Sequence, residues 1–419
     1  MKIQLTQQII INNKHRYFSM LDTLCLKSKN LYNYVLYQIR QHYKESKTYL
    51  NYYTLNKQLS SENQIDYRSL PYTQCAQQIL MQIDKQYKSF YKAIKSVNMK
   101  GKKVRLLKYK DKENGRNIVT YTNQCFKHKN NILTLKIDDK NKIDLITDKS
   151  NIQQVRIIPK GNHITIEIIY NKEYKLKENN NRFCSIDLGL NNLATLTSNV
   201  CQSMIYDGRK LKSINHFYNK RKGQLQSKLT KNKYTSKRIQ RLNNRRNNKI
   251  KDYMHKLSYS IVEYMKTNNL NTLFVGKNIG WKDSINIGKT NNQNFISIPY
   301  NMLIQMLDYK CKLVGINMII VNEAYTSKCS FVDNEKICKH EIYKGKRISR
   351  GMFKTANGLY INVDINGSFN IMRLGIEKCN CDVHTIVPAD MRFVYNPVRI
   401  RVLICVKLEF LMKKYYIII

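Results

Sequence analysis

The sequence predicts a multidomain α/β protein with a small β-barrel, a helical segment and a mixed α/β domain. Its 419 residues are enough for two or three domains, each with its own core. Apolar residues follow a helical period from residue 16 to about residue 97 and then fall into short β-branched runs. After residue 182, strand-like and helix-like segments alternate, as in α/β domains. The charged linker at 171–182 is the best candidate for a domain boundary.

The first half predicts strands and helices in separate blocks. Residues 1–15 contain one apolar run, which predicts a strand from Ile3 to Ile11. Residues 16–97 carry apolar side chains at helical spacing and predict amphipathic helices. From 98 to 180, β-branched runs are separated by Lys- and Asn-rich turns, the pattern of a small antiparallel barrel. These runs are Ile118 to Tyr121, Ile132 to Ile137, Val155 to Ile158 and His163 to Tyr170.

The second half predicts an α/β domain at 181–325 and 361–376. Residues 326–360 are polar and loop-rich and interrupt this domain as an insertion, and residues 377–419 form a C-terminal tail. The predicted elements of the domain are the strands Phe183 to Ile186, Leu193 to Leu196, Leu273 to Val275 and Ile316 to Asn322, and the helix Pro299 to Leu313.

The charge balance is extreme and points to a polyanionic partner. The chain has 73 Lys and Arg against 29 Asp and Glu, a formal net charge of +44. Such an excess repels itself unless an opposite charge neutralises it, and nucleic acid is the leading candidate. An anionic membrane surface is the competing partner. Because no run of 18 apolar residues and no signal-peptide core occurs, we expect no membrane association.

The eleven cysteines show no pairing framework, and their number is odd. Secreted disulfide-rich domains usually have even sets of cysteines at regular spacings. The pattern therefore predicts a reducing compartment inside the cell.

Two aspartates are the best candidates for a catalytic site. Asp187 follows the apolar run Phe183 to Ile186, and Asp364 follows Leu359 to Val363 and opens a segment that can turn helical at once. Two carboxylates at the ends of buried elements are costly to hold close together unless a cation lies between them. Hard divalent ions that cleave phosphodiesters need such oxygen ligands. The pair suggests a nuclease of the ribonuclease H type.

A third carboxylate is needed to complete a metal site, and Glu323 is the best candidate. It ends the apolar run that starts at Ile316 and lies between the two aspartates in the sequence. Neighbouring strand ends in a parallel sheet are about 4.8 Å apart, and ligands gather at the carboxyl ends of such strands. We therefore expect Asp187, Glu323 and Asp364 to bind two Mg²⁺ ions, one activating water and the other stabilising the leaving oxygen. The alternative is a solvated glutamate at a strand end.

The three acids stand in motifs that resemble the RuvC nuclease domain of TnpB (OrfB) proteins. The motifs are Asp-Leu-Gly at 187–189, Glu-Ala-Tyr-Thr-Ser-Lys at 323–328 and Asp-Ile-Asn-Gly-Ser-Phe-Asn at 364–370. Further similar segments between Lys27 and Arg401 lie at 105–110, 255–258 and 288–299. The family comprises RNA-guided DNA endonucleases encoded by transposons.

The resemblance implies a fold and partners. It implies an RNase H-like (RuvC) nuclease domain preceded by a small wedge barrel, formed by residues 1–15 and 98–180, with a helical recognition lobe at 16–97 inserted in it. It also implies a guide RNA from the transposon end and a double-stranded target DNA with a short adjacent motif.

One position departs from most of the family. Most members carry the second catalytic glutamate after the strand that corresponds to Leu273 to Val275, where this chain has Gly276-Lys277-Asn278. A branch of the family has a similar sequence there and uses a glutamate one strand later. The resemblance therefore implies that Glu323 takes this role.

The four-cysteine zinc ribbon of the family is incomplete in this chain. The insertion at 326–360 holds only Cys329, Cys338 and His340 as candidate ligands, and it has no Cys-x-x-Cys pair. A structural zinc site needs four ligands. We therefore expect the insertion to have lost its zinc.

The segment 209–256 is strongly basic, with seventeen Lys and Arg and a single acid, Asp252. Basic residues recur three to four positions apart, so a helix would place them along one side. Surface helices usually mix both signs of charge, which favours contacts with phosphates of a guide RNA or an RNA–DNA hybrid over a merely solvated face. The residues expected to bind nucleic acid are Arg238, Arg241, Arg245, Arg246, Lys249 and Lys256.

The sequence therefore predicts an RNA-guided, Mg²⁺-dependent DNA endonuclease of a transposable element, which hydrolyses phosphodiesters with two metal ions. A nuclease-inactive RNA-guided DNA-binding regulator is the first alternative, because the usual acid is missing near Gly276 and the ribbon is reduced. A DDE-type transposase is the second.

Overall fold

The computed structural model describes residues 1–95, 104–230, 233–278, 288, 292–293, 296–349, 351–381, 394 and 396–402. These residues fall into two compact units. One unit contains Lys2–Glu173, and the other starts at Tyr174, so the division falls inside the charged segment 171–182. Most of the expected tail at 377–419 lies outside the described residues.

In the first unit, the described residues contain seven strands that form two antiparallel sheets. They are β1 (Lys2–Asn12), β2 (Val119–Thr122), β3 (Phe126–Lys129), β4 (Ile132–Lys136), β5 (Lys142–Ile146), β6 (Ile152–Pro159) and β7 (His163–Glu173). Strands β1, β7, β6 and β2 form a four-stranded sheet in that order, and β3, β4 and β5 form the other. β1 pairs with β7 along its whole length. The N-terminal strand is therefore held by the far end of this unit's sequence.

The predicted strand runs of this unit overlap five of these strands, β1, β2, β4, β6 and β7. Val155 and Ile157 on β6 are buried while Gln154 and Arg156 keep solvent access, the alternation of a sheet with one face in the core. A short 3₁₀ turn at Asn123–Cys125 separates β2 from β3. The described strands thus form two sheets, and the single small barrel stays a prediction.

The described residues between β1 and β2 form four helices. They are α1 (Phe18–Ser46), α2 (Tyr52–Ser61), α3 (Ile65–Arg68) and α4 (Thr73–Lys95). The described part of the segment 16–97 is therefore mainly helical, and its role as a separate lobe stays a prediction. Leu21, Leu24 and Leu31 recur on one side of α1 and are buried, which is why this segment folds as an amphipathic helix. Asn51 caps α2, because its Oδ1 accepts a hydrogen bond from the Thr54 backbone N–H at 3.1 Å.

The second unit contains a six-stranded mixed sheet and a small three-stranded sheet. The strands are β8 (Phe183–Asp187), β9 (Asn192–Ser198), β10 (Met204–Asp207), β11 (Thr272–Gly276), β12 (Asn317–Val321), β13 (Lys346–Ser349), β14 (Met352–Lys354), β15 (Tyr360–Asn362) and β16 (Val398–Ile400). The six-stranded sheet has the order β12-β11-β8-β9-β10-β16. Strands β12, β11 and β8 are parallel, β8, β9 and β10 form an antiparallel meander, and β16 is parallel to β10. The mixed α/β character expected for this half is therefore present.

The described residues of this unit include four long helices. They are α5 (Arg209–Gln226), α6 (Lys237–Thr267), α7 (Tyr300–Leu313) and α8 (Val363–Lys378). α8 packs against β8, β9 and β11. Its Ser368 hydroxyl lies 3.2 Å from the Ser185 carbonyl and 3.1 Å from the Thr195 carbonyl, so a polar contact fixes the helix over two strands. Among the described helices, none is both long and apolar enough to cross a membrane.

The start of α8 decides where Asp364 lies. Asn362 caps the helix, because its Oδ1 accepts from the backbone N–H of Asp364 at 2.9 Å. Asp364 therefore lies in the first helical turn, as expected for a segment that turns helical at once. The preceding strand β15 belongs to the small sheet. Adjacent strand ends therefore do not account for the position of Asp364; a helix packed on the sheet does.

Candidate functional site

Three acidic side chains lie at one region of the second unit. Asp187 is the last residue of β8, and Glu323 follows the end of β12. Because β8, β11 and β12 are parallel, their carboxyl ends meet at the same edge of the sheet. Asp364 approaches from the first turn of α8. The fold therefore brings together elements that are far apart in the sequence.

The other two carboxylates lie close enough to Asp187 for their charges to act on it. Desolvation by the surrounding protein raises the pKa of Asp187 well above its usual value, and the charges of Asp364 and Glu323 raise it further. Burial raises the pKa of Glu323 to about 7. Desolvation and charge repulsion both disfavour a cluster of ionised carboxylates. A cation bound at this site would offset this unfavourable free energy.

Two glycines let the acidic side chains approach the neighbouring backbone. A Cβ atom at Gly276 would lie 2.6 Å from Glu323 Oε2 and 2.5 Å from Ile371 Cδ1, so the glutamate occupies the space beside that position. A Cβ atom at Gly367 on α8 would lie 2.9 Å from Asp187 Oδ2. Any larger residue at either position would displace a carboxylate.

Glu323 has an unusual environment for an acidic side chain. Its backbone N–H donates to Asn278 Oδ1 at 3.0 Å, which fixes the chain after β12. Its Oε2 atom is buried and finds no hydrogen-bond partner among the described residues. A buried carboxyl oxygen without a donor is costly, and such atoms often belong to sites that bind an ion.

No sequence motif pointed to Asn192, Arg399 or Tyr300 as site residues. Asn192 Nδ2 donates to Asp364 Oδ2 at 2.6 Å, and the Arg399 guanidinium donates to Asn192 Oδ1 at 3.0 Å. The Tyr300 hydroxyl donates to the Gly189 carbonyl at 2.7 Å. Burial and the charge of Asp187 raise the pKa of this phenol. Asn192 stands close to the Asp-Leu-Gly motif, but asparagine is too common in this chain to be a signal by itself.

The donor chemistry fits a hard divalent cation. The described residues contain no group of three or more His, Cys, Asp or Glu that could hold a metal ion as they stand. The three acids nevertheless offer carboxylate oxygens, which Mg²⁺ prefers, and one of these oxygens is buried without a partner. The assignment of Asp187, Glu323 and Asp364 as catalytic metal ligands therefore stays a prediction.

The insertion that would carry a zinc ribbon is organised around Glu335. Glu335 Oε2 accepts from the Ser330 backbone N–H at 2.7 Å, and its Oε1 accepts from the Lys344 backbone N–H at 2.9 Å. Cys338 Sγ lies 3.3 Å from His340 Nε2. Hydrogen bonds to a carboxylate thus link two parts of this loop. The loss of zinc stays a prediction.

The predicted nucleic-acid-binding residues divide into two groups on α6. Arg246 is tied to the protein, because its guanidinium donates to Asn215 Oδ1 and to the Ser297 carbonyl, each at 2.8 Å from Nη2. Lys256 donates to Asp252 at 2.9 Å. The residues of the set that are exposed are Arg238, Arg241, Arg245 and Lys249. Helical spacing alone does not distinguish these groups, because Arg246 contacts residues outside α6, whereas Lys256 pairs with Asp252 one turn earlier on the same helix.

Two family models match the chain. Residues 164–282 match a model described as a probable transposase (OrfB_IS605), and residues 300–371 match the TNB domain of Cas12f1-like proteins. The first match includes Asp187, and the second includes Glu323 and Asp364. A TnpB-like protein, ORF457 of Acidianus two-tailed virus, is 22% identical over 211 residues, which are 48% of this chain and 43% of that protein. The match therefore spans less than half of the relative.

Two solved structures are distantly similar. A cryo-EM structure of a Cas12f1–sgRNA–target DNA complex has a TM-score of 0.37 at 14% identity, covering 87% of this chain and 98% of the other. A CRISPR-Cas12f ternary complex has a TM-score of 0.32 at 14% identity, covering 84% of this chain and 80% of the other. These TM-scores are too low to define a shared fold.

Proposed function

The chain belongs to the TnpB (OrfB) family, and from that premise we propose that it is an RNA-guided, Mg²⁺-dependent DNA endonuclease of a transposable element. Asp187, Glu323 and Asp364 are its metal-binding residues. The observation that supports this most is the gathering of the carboxylates: Cβ atoms at Gly276 and Gly367 would meet Glu323 Oε2 and Asp187 Oδ2, and burial, then the charges of Asp364 and Glu323, raise the pKa of Asp187. Such mutual repulsion is typical of sites that bind divalent cations.

Each residue has a role in phosphodiester hydrolysis. Two Mg²⁺ ions, when bound, would supply charge stabilisation at the phosphate and would acidify a water for the attack. Asp187 and Asp364 would hold the ions from opposite elements, a strand end and a helix start. Glu323 would complete the ligand set from the end of β12. Arg238, Arg241, Arg245 and Lys249 on α6 hold phosphates of the guide RNA or of its hybrid with the target DNA.

Glu323 takes the place of an acid at position 276. The support is steric, because Glu323 Oε2 lies where a side chain at Gly276 would begin. β11 and β12 are adjacent parallel strands, so a carboxylate can move from the end of one to the end of the other and reach the same space. The second unit is then an RNase H-like (RuvC) domain, which the meander β8-β9-β10 flanked by parallel β11 and β12 supports. An intracellular location, expected from the cysteines, belongs to the same proposal.

The experiment is cleavage of plasmid DNA by the purified protein–RNA complex. The wild type should cut its target in Mg²⁺, and Asp187→Asn should bind the same target without cutting it. Glu341→Gln, at an exposed position in the insertion, is the control and should cut like the wild type. Strand-transfer products with transposon ends would instead indicate a transposase.

A second candidate is a regulator that binds DNA under RNA guidance without cutting it. The observation in its favour is that, among the described residues, no three acidic, His or Cys side chains form a group that could hold a metal ion. A wild-type complex that binds its target tightly but leaves it intact in both Mg²⁺ and Mn²⁺ would establish the regulator and exclude the nuclease.

A further inference from the structure

Asp364 has a side-chain partner that the proposed ligand set does not include. Asn192, the first residue of β9, donates from Nδ2 to Asp364 Oδ2 at 2.6 Å. This contact is short, as hydrogen bonds to ionised oxygens are. It engages one oxygen of the carboxylate and sets the plane in which the other oxygen lies.

Arg399 decides which way the Asn192 amide points. The guanidinium donates to Asn192 Oδ1 at 3.0 Å. Arginine carries only donors, so the amide oxygen must face Arg399 and the amide NH₂ group must face Asp364. The reverse orientation would set the NH₂ group against the guanidinium and the amide oxygen against the carboxylate. The direction of the whole chain of hydrogen bonds is therefore determined.

Arg399 comes from the last described strand. β16 pairs with β10, with Arg399 opposite Ile205, and β10 separates β16 from β9. The side chain must cross one strand to reach Asn192, a distance of roughly two strand spacings between the strand axes. Arginine is the longest cationic side chain, with a planar group that fixes its donors. Residues beyond the third acidic motif thus contact the site.

We propose that Asn192 and Arg399 are positioning residues that orient Asp364 for divalent-cation binding, and that strand β16 is required to complete the site. This inference rests on the proposed metal-binding role of Asp364. Removal of groups that orient metal ligands typically costs about 10- to 100-fold in metal affinity or activity. Asn192 acts directly on Asp364, and Arg399 acts through Asn192.

The test compares Asn192→Leu, Arg399→Leu, Arg399→Lys and the double variant Asn192→Leu/Arg399→Leu. Arg401→Leu is the matched control, since Arg401 is an exposed arginine just after β16. Mg²⁺ binding to the protein–RNA complex is measured by calorimetry, and single-turnover cleavage is measured against Mg²⁺ concentration. Thermal melting and target affinity show whether each variant is folded and binds DNA.

Asn192→Leu should weaken Mg²⁺ binding about 10-fold or more and raise the Mg²⁺ midpoint of cleavage equally, with target affinity unchanged. Arg399→Leu should give a smaller shift, and Arg399→Lys should recover part of it. The double variant should be no worse than Asn192→Leu, because residues acting in one chain are not additive.

Wild-type Mg²⁺ binding in folded Asn192→Leu would overturn the proposal, and additive losses in the double variant would overturn the role of Arg399. If the wild type does not cut DNA at all, the nuclease proposal fails, but calorimetry still tests the positioning role of Asn192 and Arg399. Weaker Mg²⁺ binding in Asn192→Leu than in Arg401→Leu would support that positioning role even then.

Discussion

Glu323 and Glu335 lie close in sequence and belong to the same unit, yet their carboxyl groups have opposite environments. Both oxygens of Glu335 accept hydrogen bonds from backbone N–H groups, and the residue is 3% exposed. Glu323 Oε2 is buried without any partner. A satisfied buried carboxylate stabilises the loop that it links. An unsatisfied one costs stability and is retained where it binds something else.

The largest expected effect tests the proposed metal-binding role of Glu323. Glu323→Gln should reduce Mg²⁺-dependent cleavage by about 10³-fold, because a neutral amide cannot replace a charged metal ligand. The free energy of unfolding should stay the same or rise by about 1 kcal/mol, since a buried charge without a partner is removed. Cleavage rates and urea denaturation check the two parts. A variant that cuts normally would remove Glu323 from the site.

Gly276→Ala should disturb the same carboxylate from the other side. The new methyl group would meet Glu323 Oε2 at 2.6 Å and Ile371 Cδ1 at 2.5 Å. We expect cleavage to fall by about 10- to 100-fold and stability by about 1–3 kcal/mol.

The matched control for this change is Gly223→Ala on α5, where an added Cβ meets nothing within 4 Å. There the substitution should stabilise the protein by about 0.5–1 kcal/mol, since alanine is the better helix former. Equal effects at the two glycines, measured by urea denaturation, would contradict the steric argument.

A substitution of Glu335 should reduce stability rather than cleavage, because both oxygens of its carboxylate accept hydrogen bonds. Glu335→Gln places an NH₂ group against one of two backbone N–H donors, so the free energy of unfolding should fall by about 1–3 kcal/mol. The cleavage rate of the folded fraction should change little. Glu341→Gln in the same loop is exposed and should shift stability by less than about 0.5 kcal/mol. Matching losses in both variants would show that Glu335 does not organise the loop.

Lys310 is a partly buried side chain of the opposite charge, and its environment also makes a prediction. Lys310 on α7 donates to the His255 carbonyl and the Ser258 hydroxyl, each at 2.7 Å, and burial lowers its pKa from 10.5 to about 7. Between these pH values the unfolded chain binds more protons than the folded one, so this group makes the free energy of unfolding rise with pH. The contribution is complete above the unfolded pKa and is lost as the pH falls through about 7.

Lys310→Met removes this pH dependence. The stability of the wild type relative to the variant should therefore increase by roughly 3–4 kcal/mol between pH 7 and pH 10. Chemical denaturation of both proteins across this range measures the difference. A difference that does not change with pH would mean that Lys310 is solvated in the folded protein.

Local sequence patterns predicted individual helices and strands better than they predicted how the strands pair into sheets. The helical period around Leu21 and Leu24 and the β-branched alternation around Val155 identify α1 and β6 correctly, because burial of one face is a local property of the sequence. Strands β3 and β5 were missed, since β3 is short and basic and β5 directly follows a polar turn-like run. The division of seven strands into two sheets depends on long-range pairing, which no local pattern specifies.

At the candidate site, the chain itself determined which carboxylates to consider: Asp187, Glu323 and Asp364 each follow an apolar run within a recognisable motif. Only the tertiary structure decided that Asp364 comes from a helix start, that Glu323 fills the space beside Gly276, and that Arg246 faces protein rather than solvent. It also brought Asn192 and Arg399 to Asp364. The reason is physical: residue type and spacing determine chemistry and local conformation, whereas contacts between distant segments depend on how the helices pack on the sheet.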